Sequence, residues 1–167
     1  MSYRNKTYVC FDGDTDIHYY RLMCAWKQND GINFNFYDAH DLNYAKDTST
    51  EETIKRRLRE RLHNTKVFVV LIGEKTRYLH KFVRWEMEQA LLLDIPIIGV
   101  NLNGLRSIDD ERCPPIIRDQ LSIYISFNAA IMQYALENWP ESYMKYKKQG
   151  ESGAYRYKDE VYKKLKL

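Results

Sequence analysis

Residues 66–102 read KVFVVLIGEKTRYLHKFVRWEMEQALLLDIPIIGVNL, and this stretch decides the fold class. Two apolar runs, VFVVLIG and IPIIGVNL, flank a segment whose apolar residues recur at helical spacing. A continuous apolar run that stops at a turn residue is typical of a parallel strand covered on both faces. The stretch therefore predicts a β-α-β unit, in which a right-handed crossover joins two neighbouring parallel strands.

The helix of this unit carries a carboxylate on its apolar face. Glu86 lies at i+4 from Phe82 and at i−4 from Ala90, within a stripe formed by Leu79, Phe82, Val83, Ala90 and Leu93. Burial of an unpaired carboxylate costs several kcal/mol, so something must compensate for it. Periodicity leaves two interpretations open. Glu86 either has a structural role, as an ion pair or at a bend of the stripe that reaches water, or faces a functional crevice. There it could bind sugar hydroxyls or stabilise positive charge on a ribose carbon.

Strand and helix signals alternate through the rest of the chain. Further strands are predicted at TYVCF (7–11), INFNFYD (32–38) and SIYISF (122–127). Helices are predicted by the spacing of residues 19–26, by a capping box of Ser49 and Glu52, and by Asn128, which caps a helix through about Trp139. Five β-α units predict an α/β, flavodoxin-like three-layer sandwich with a five-stranded parallel sheet.

The last part of the chain differs in composition from the rest. From position 145 onward there are eight Lys or Arg and three Asp or Glu, so the remainder carries 18 basic against 20 acidic residues. That balance gives no electrostatic case for a nucleic-acid groove. After the polar break KKQGESGAY, residues 155–167 are predicted to form a helix. We therefore expect a core domain at 1–140 and a basic, Tyr- and Lys-rich helical extension at 141–167, packed on that domain.

Composition also narrows the class of protein. No apolar run is long enough to span a membrane, and the first residues, MSYRNKTYVC, lack the apolar region of a signal peptide. Three scattered cysteines without a CxxC motif fit a reduced, cytoplasmic setting. The four histidines lack metal-ligand spacing and no glycine-rich phosphate loop occurs, so we expect neither a metal nor a bound cofactor.

Polar loops follow the predicted strands. They begin with DGD (12–14), DAHD (38–41), GEKT (73–76) and NLN (101–103). In parallel α/β sheets, ligands bind beyond the carboxyl ends of the strands, so we expect these loops to surround one crevice with the helix of Glu86. The cluster of Asp12, Asp14 and Asp16 does not indicate a phospho-receiver, because the third strand ends VVLIG without an acceptor aspartate. The simpler interpretation places Asp14 or Asp16 at a helix N-terminus.

The spacing of these motifs resembles that of TIR domains. VFVVLIGEKTRYLHKFVRWEMEQAL is similar to their third strand, loop and third helix, in which a Glu follows an aromatic residue by four positions, here Phe82 and Glu86. FYDAHDL resembles their second strand and next loop, with Asp38 and Leu42 in matching places. YVCFDGDTDIHYYRLMCAW together with DAHDLN is closer to the TIR-like family that includes ThsB of the bacterial Thoeris anti-phage system. The resemblance covers about residues 7–127, although FDGD replaces the usual SYR-like segment.

The resemblance implies an enzyme that cleaves the nicotinamide–ribose bond of NAD⁺. ThsB-like proteins respond to a phage-derived trigger and make a cyclic ADP-ribose-type signal, which activates a partner effector. NAD⁺ is then the substrate, Glu86 is the catalytic residue, and the substrate-binding residues are Phe11, Asp12, Gly13, Asp14, Asp38, Phe82 and Trp85. A single carboxylate suits this reaction, because nicotinamide leaves as a neutral molecule and needs no protonation. The reaction mainly requires that the ribose is held in place and that positive charge on its carbon is stabilised. Two alternatives remain, a non-catalytic signalling module that self-associates and a nucleoside deoxyribosyltransferase-like enzyme.

Overall fold

The computed structural model describes residues 6–38 and 50–167, with the side chains of Tyr37 and Asp38 outside the description. This part of the chain forms six strands, six α-helices and one short 3-10 helix, Thr76–Tyr78. The strands are β1 Lys6–Cys10, β2 Tyr37–Asp38, β3 Val67–Ile72, β4 Ile97–Asn101, β5 Ser122–Ser126 and β6 Ala154–Arg156. The helices are α1 Ile17–Gln28, α2 Glu51–His63, α3 Phe82–Leu92, α4 Pro115–Arg118, α5 Ala129–Lys148 and α6 Asp159–Lys164.

All six strands of the described chain are parallel and have the order β2-β1-β3-β4-β5-β6. The predicted parallel α/β sheet is therefore confirmed, and β6 extends it by one strand at its far edge. The chain adds β2 on one side of β1 and β3 on the other. The strand order thus reverses at β1 and β3, which places the expected crevice at their carboxyl ends.

Helices cover both faces of the sheet and enclose two apolar cores. Alternate residues of β1 show the division, because Val9 belongs to the core beneath α1 and α5, whereas Tyr8 and Cys10 belong to the core beneath α2, α3 and α4. Strand β3 is buried along its whole length, as its continuous apolar run predicts. The sheet is consequently the central layer of a three-layer sandwich.

The second predicted strand is shorter than its sequence pattern suggests. Only Tyr37 and Asp38 of the segment 32–38 pair with β1. The alternation upstream still has a structural cause, since Phe34 and Phe36 are buried while Asn33 is exposed. Alternation records which side chains are buried, and it does not require a hydrogen-bonded ladder. The strand prediction for residues 32–36 is therefore wrong.

Helix α2 begins one residue later than its predicted capping box requires. The side chain of Thr50 accepts a hydrogen bond from the backbone N–H of Thr53 and is the N-cap. Ser49, the predicted cap, lies outside the described residues. The helix packs on the sheet through Leu58 and Leu62, which are buried.

Helix α3 buries Val83, Glu86, Met87 and Ala90. Leu93, which was assigned to the buried stripe, is instead exposed. The helix ends at Leu92, and Asp94 adopts a positive φ of 53° that turns the chain towards β4. Helical spacing no longer applies beyond that turn, so Leu93 does not continue the buried face of Val83, Met87 and Ala90.

The C-terminal part departs most from the predicted elements. Asn128 caps α5 as expected, accepting hydrogen bonds from the backbone N–H groups of Ala130 and Ile131. The helix then continues through Pro140 to Lys148, because its buried face extends past Trp139 to Tyr143. It crosses the boundary placed after residue 140, and the division into domain and extension stays a prediction. Residues 155–167 form the end of β6 and then α6 instead of one helix.

Tyrosine side chains pack residues 154–167, which contain β6 and α6, against the rest of the domain. Tyr162 is fully buried in the core beneath α1 and α5, and the ring of Tyr155 stacks on that of Tyr146 with 4.7 Å between centroids. Among the residues that the structure describes, no helix combines the length and apolar character needed to cross a membrane.

Candidate active site

Two loops meet at the carboxyl ends of β1 and β3, and Asp16 of the first lies against Gly73 of the second. After β1, the chain turns tightly into α1, with the backbone N–H of Asp16 bonded to the carbonyl of Asp12 at 2.8 Å. After β3, the side chain of Thr76 receives a hydrogen bond from the N–H of Gly73 at 2.9 Å. These bonds hold both loops close to the sheet and shape the edge at which the strand order reverses.

Glu86 lies beside this edge, one turn into α3. Glu86 is only 6 % exposed, and its side chain packs among apolar side chains between α3 and the sheet. Its carboxyl accepts hydrogen bonds from the hydroxyl of Tyr8 and the thiol of Cys10, both of which extend from β1. The helix is fixed to β1 at this point, because the Cys10 thiol also points at the carbonyl of Val83 at 3.8 Å.

Burial dominates the electrostatics of Glu86. Loss of hydration raises the pKa of its carboxyl from 4.5 to about 8, and hydrogen bonding from the Cys10 thiol and the Tyr8 hydroxyl offsets part of that rise. No described Lys or Arg forms an ion pair with Glu86. The interpretation of Glu86 as one member of an ion pair is therefore wrong as far as the described part of the chain is concerned. A carboxyl poised to ionise near neutral pH is typical of functional sites.

The predicted substrate-binding residues after β1 occupy different surroundings. Phe11 is buried on the opposite face of the sheet from Glu86, where its ring stacks on that of Tyr20 at 5.0 Å. Asp12 is buried at the strand end, and its Oδ1 accepts hydrogen bonds from the N–H groups of Asp14 and Thr15. Gly13 and Asp14 form the exposed tip of that turn. Of these residues, Phe11 packs in the core and does not face the side of the sheet on which Glu86 lies.

The two predicted aromatic residues of α3 are half-buried. Phe82 begins the helix, and the Lys81 ammonium lies 5.2 Å from the centre of its ring. Trp85 faces α2, where Lys55 and the Arg59 guanidinium lie 5.6 and 5.4 Å from its ring. Trp85 thus joins α3 to α2 through cation–π contacts.

The backbone of Asp38 ends β2 beside Thr7, which lies near the amino end of β1, so the described part of β2 stops short of the carboxyl end of β1 at Cys10. His40 and Leu42, which the sequence also placed in the following loop, lie outside the described residues. The contribution of this loop therefore stays a prediction.

Asp16 lies immediately before α1, as the interpretation of a helix N-terminus predicts. Sequence reasoning missed the polar partners of Glu86 and the burial of Asp16. Cys10 and Tyr8 read as ordinary strand residues, and only the alternation along β1 could have placed both on the face of α3. Asp16 is 5 % exposed and begins α1, but its side chain makes no capping hydrogen bond. Burial and the charge of Asp12 raise the pKa of its carboxyl, which the charges of His18 and Arg112 oppose.

Other kinds of site were also sought within the described chain. Residues 6–38 and 50–167 contain no group of three His, Cys, Asp or Glu side chains arranged to hold a metal ion. A cavity of about 180 Å³ lies at the amino end of β4, away from the carboxyl ends of the strands. Leu91, Ile97 and Tyr143 form part of its lining. None of the predicted site residues borders this cavity.

A parallel sheet of this order, with a buried glutamate in its third helix beside the end of β1, fits a TIR-like α/β domain. Comparison with protein families makes the assignment specific. Residues 8–107 match the family described as Thoeris protein ThsB, TIR-like domain. The match covers more than half of the chain, and the chain belongs to this family of anti-phage Thoeris proteins.

Proposed function

We propose that this protein is an enzyme that cleaves NAD⁺ at the nicotinamide–ribose bond and converts the rest of the molecule into a cyclic ADP-ribose-type signal. The observation that carries the proposal is the position of Glu86, a buried carboxyl beside the carboxyl end of β1 in a chain of the ThsB family. The signal would diffuse to an effector protein and activate it, and a phage-derived trigger would start the reaction.

The chemistry needs little more than a positioned carboxylate. When the bond between C1′ and the nicotinamide nitrogen breaks, its electron pair leaves with the nitrogen and neutral nicotinamide departs. Positive charge then develops on C1′ and the ring oxygen of the ribose, and an ionised Glu86 would stabilise it. Attack on C1′ by a nucleophilic atom of the same molecule closes the ring, whereas attack by water gives ADP-ribose.

The surroundings of Glu86 suit a substrate that is positively charged at its reacting end. Burial makes the neutral form of the carboxyl dominant at pH 7, because the pKa of Glu86 is raised to about 8. A cationic nicotinamide bound nearby would favour the ionised form and lower this pKa. Substrate binding would thus supply the charged carboxylate that the transition state requires, in a site with little water to weaken its field.

The test is release of nicotinamide from NAD⁺ by the purified protein, measured with and without a lysate of phage-infected cells as the source of trigger. Loss of a preorganised electrostatic group typically lowers turnover by about 100- to 1,000-fold, and we expect this for Glu86→Gln. Glu88→Gln is the matched control, because Glu88 lies two residues further along α3 and pairs on the surface with Arg84 at 3.1 Å.

Equal turnover by Glu86→Gln and the wild-type protein would refute the catalytic role of Glu86. Absence of turnover in every condition, together with concentration-dependent self-association, would instead favour the signalling module without catalysis. Base exchange between deoxynucleosides would favour the deoxyribosyltransferase alternative.

A further inference from the structure

The carboxylate of Asp16 occupies a position at the strand-order reversal that the fold itself leaves unexplained. Its Oδ2 atom is buried and has no hydrogen-bond partner among the described residues. A helix-capping role would explain a buried aspartate immediately before α1, but the Asp16 side chain makes no capping bond. Leaving a buried acceptor unpaired is costly, which indicates a partner outside the free protein.

Gly73 makes room for this carboxylate. A Cβ atom built on Gly73 would lie 2.2 Å from Oδ2 of Asp16, which is far closer than atoms of these types approach. The first residue after β3 is a glycine because the Asp16 carboxylate, immediately before α1, occupies the space that a side chain at position 73 would need. The close approach holds the carboxylate over the carboxyl end of β3, at the place where α/β sheets bind ligands.

The nearby charges do not satisfy Asp16. Asp12 and Glu74 add negative charge, whereas His18 and Arg112 act in the opposite sense. The guanidinium of Arg112 is already engaged with the Glu74 carboxylate at 3.5 Å. The exposed turn in front of the cluster leaves space, because a Cβ on Gly13 would meet no atom within 4 Å.

We infer that Asp16 is a substrate-binding residue, whose carboxylate accepts a hydrogen bond from a ribose hydroxyl in the nicotinamide riboside half of NAD⁺. This inference rests on the proposed function and names which end of the substrate lies over β1 and β3. An acidic edge repels phosphates and attracts the cationic nicotinamide, so the pyrophosphate must extend away from Asp12 and Asp16. The hydrogen-bond donors in this half are the ribose hydroxyls and the carboxamide N–H groups of nicotinamide, and the ribose offers two adjacent hydroxyls to one carboxylate oxygen.

The experiment measures the dissociation constant of intact NAD⁺ by calorimetry in a Glu86→Gln background, in which we expect cleavage to be about 100- to 1,000-fold slower. Adding Asp16→Asn should weaken binding by about tenfold or more, because a hydrogen bond to a charged acceptor is lost. Asp30→Asn in the same background is the control, since Asp30 is exposed in the turn after α1. Gly73→Ala keeps the charge but puts a methyl group 2.2 Å from Oδ2, so the carboxylate has to move, and binding should weaken similarly.

Denaturation separates binding from a structural role. Because Oδ2 has no partner in the described protein, Asp16→Asn should keep or raise the denaturation midpoint while it weakens NAD⁺ binding. An unchanged dissociation constant in both Asp16→Asn and Gly73→Ala would overturn the inference, and a lowered midpoint with unchanged binding would assign the carboxylate to fold stability. If the unchanged protein neither binds nor cleaves NAD⁺ with the trigger present, the proposed function and this inference both fail. Cleavage that Asp16→Asn leaves intact, with the same KM, rejects the inference alone.

Discussion

Replacement of Glu86 by glutamine should remove a strong pH dependence from the stability of the fold. The pKa of the Glu86 carboxyl is 4.5 as a free group and about 8 in the folded protein. The folded state therefore binds a proton that the unfolded chain releases above pH 4.5. Stability from this group is fully present below pH 4.5 and is lost as the pH rises towards 8, where the loss levels off.

The magnitude follows from the size of the shift. Each pH unit between the two pKa values changes the free energy of unfolding by about 1.4 kcal/mol. Allowing for partial titration near each pKa, the wild-type protein should lose about 2.5 kcal/mol from this group between pH 5 and pH 7. Glutamine has nearly the same shape and does not titrate, so Glu86→Gln should escape this loss.

Urea denaturation of both proteins at pH 5, 6, 7 and 8 measures the effect. The useful quantity is the difference in free energy of unfolding between the two proteins, because other titrating groups contribute to both. The amide of glutamine also changes the hydrogen bonds with Tyr8 and Cys10, but that contribution should not vary across this range. Glu88→Gln is again the control, since Glu88 is half-exposed on the same helix. The difference in free energy of unfolding between wild type and Glu86→Gln should therefore change between pH 5 and pH 8. A constant difference would refute the conclusion that burial raises the pKa of Glu86.

Three further results are expected. If an ionised Glu86 carries the reaction, kcat/KM for NAD⁺ should rise with pH and flatten above about pH 8, and a rate that is level from pH 6 to pH 9 would contradict this role. Gly99→Ala should destabilise the fold by about 1 to 3 kcal/mol in urea, because its Cβ would lie 2.5 Å from the Tyr124 ring, whereas Gly13→Ala should change stability little. Tyr162→Ala should cost about 3 to 5 kcal/mol, since the side chain is fully buried against the core, and a loss below 1 kcal/mol would show that the final segment is not part of the cooperative unit.

The sequence determined the class of fold because the signals involved are local. A run such as VFVVLIG has to be covered on both faces wherever it lies, so its continuous apolar pattern was enough to predict β3 as a buried parallel strand. The placement of Glu86 on the buried face of α3 also followed, since helical spacing relates it directly to Val83 and Ala90. Each of these predictions depends on residues that are close in the chain.

The environment of the site was decided only by the tertiary structure. Glu86 meets Tyr8 and Cys10 across more than 70 positions of sequence, and Asp16 reaches Gly73 across 57. Spacing cannot relate such distant residues, because their contact depends on the order of strands in the sheet and on which face each strand residue occupies. The same limit applies to β6, which forms because β5 offers a free edge to the chain that returns from α5. Local pattern thus gave Glu86 a buried position, and long-range packing gave it the low-dielectric surroundings that raise its pKa.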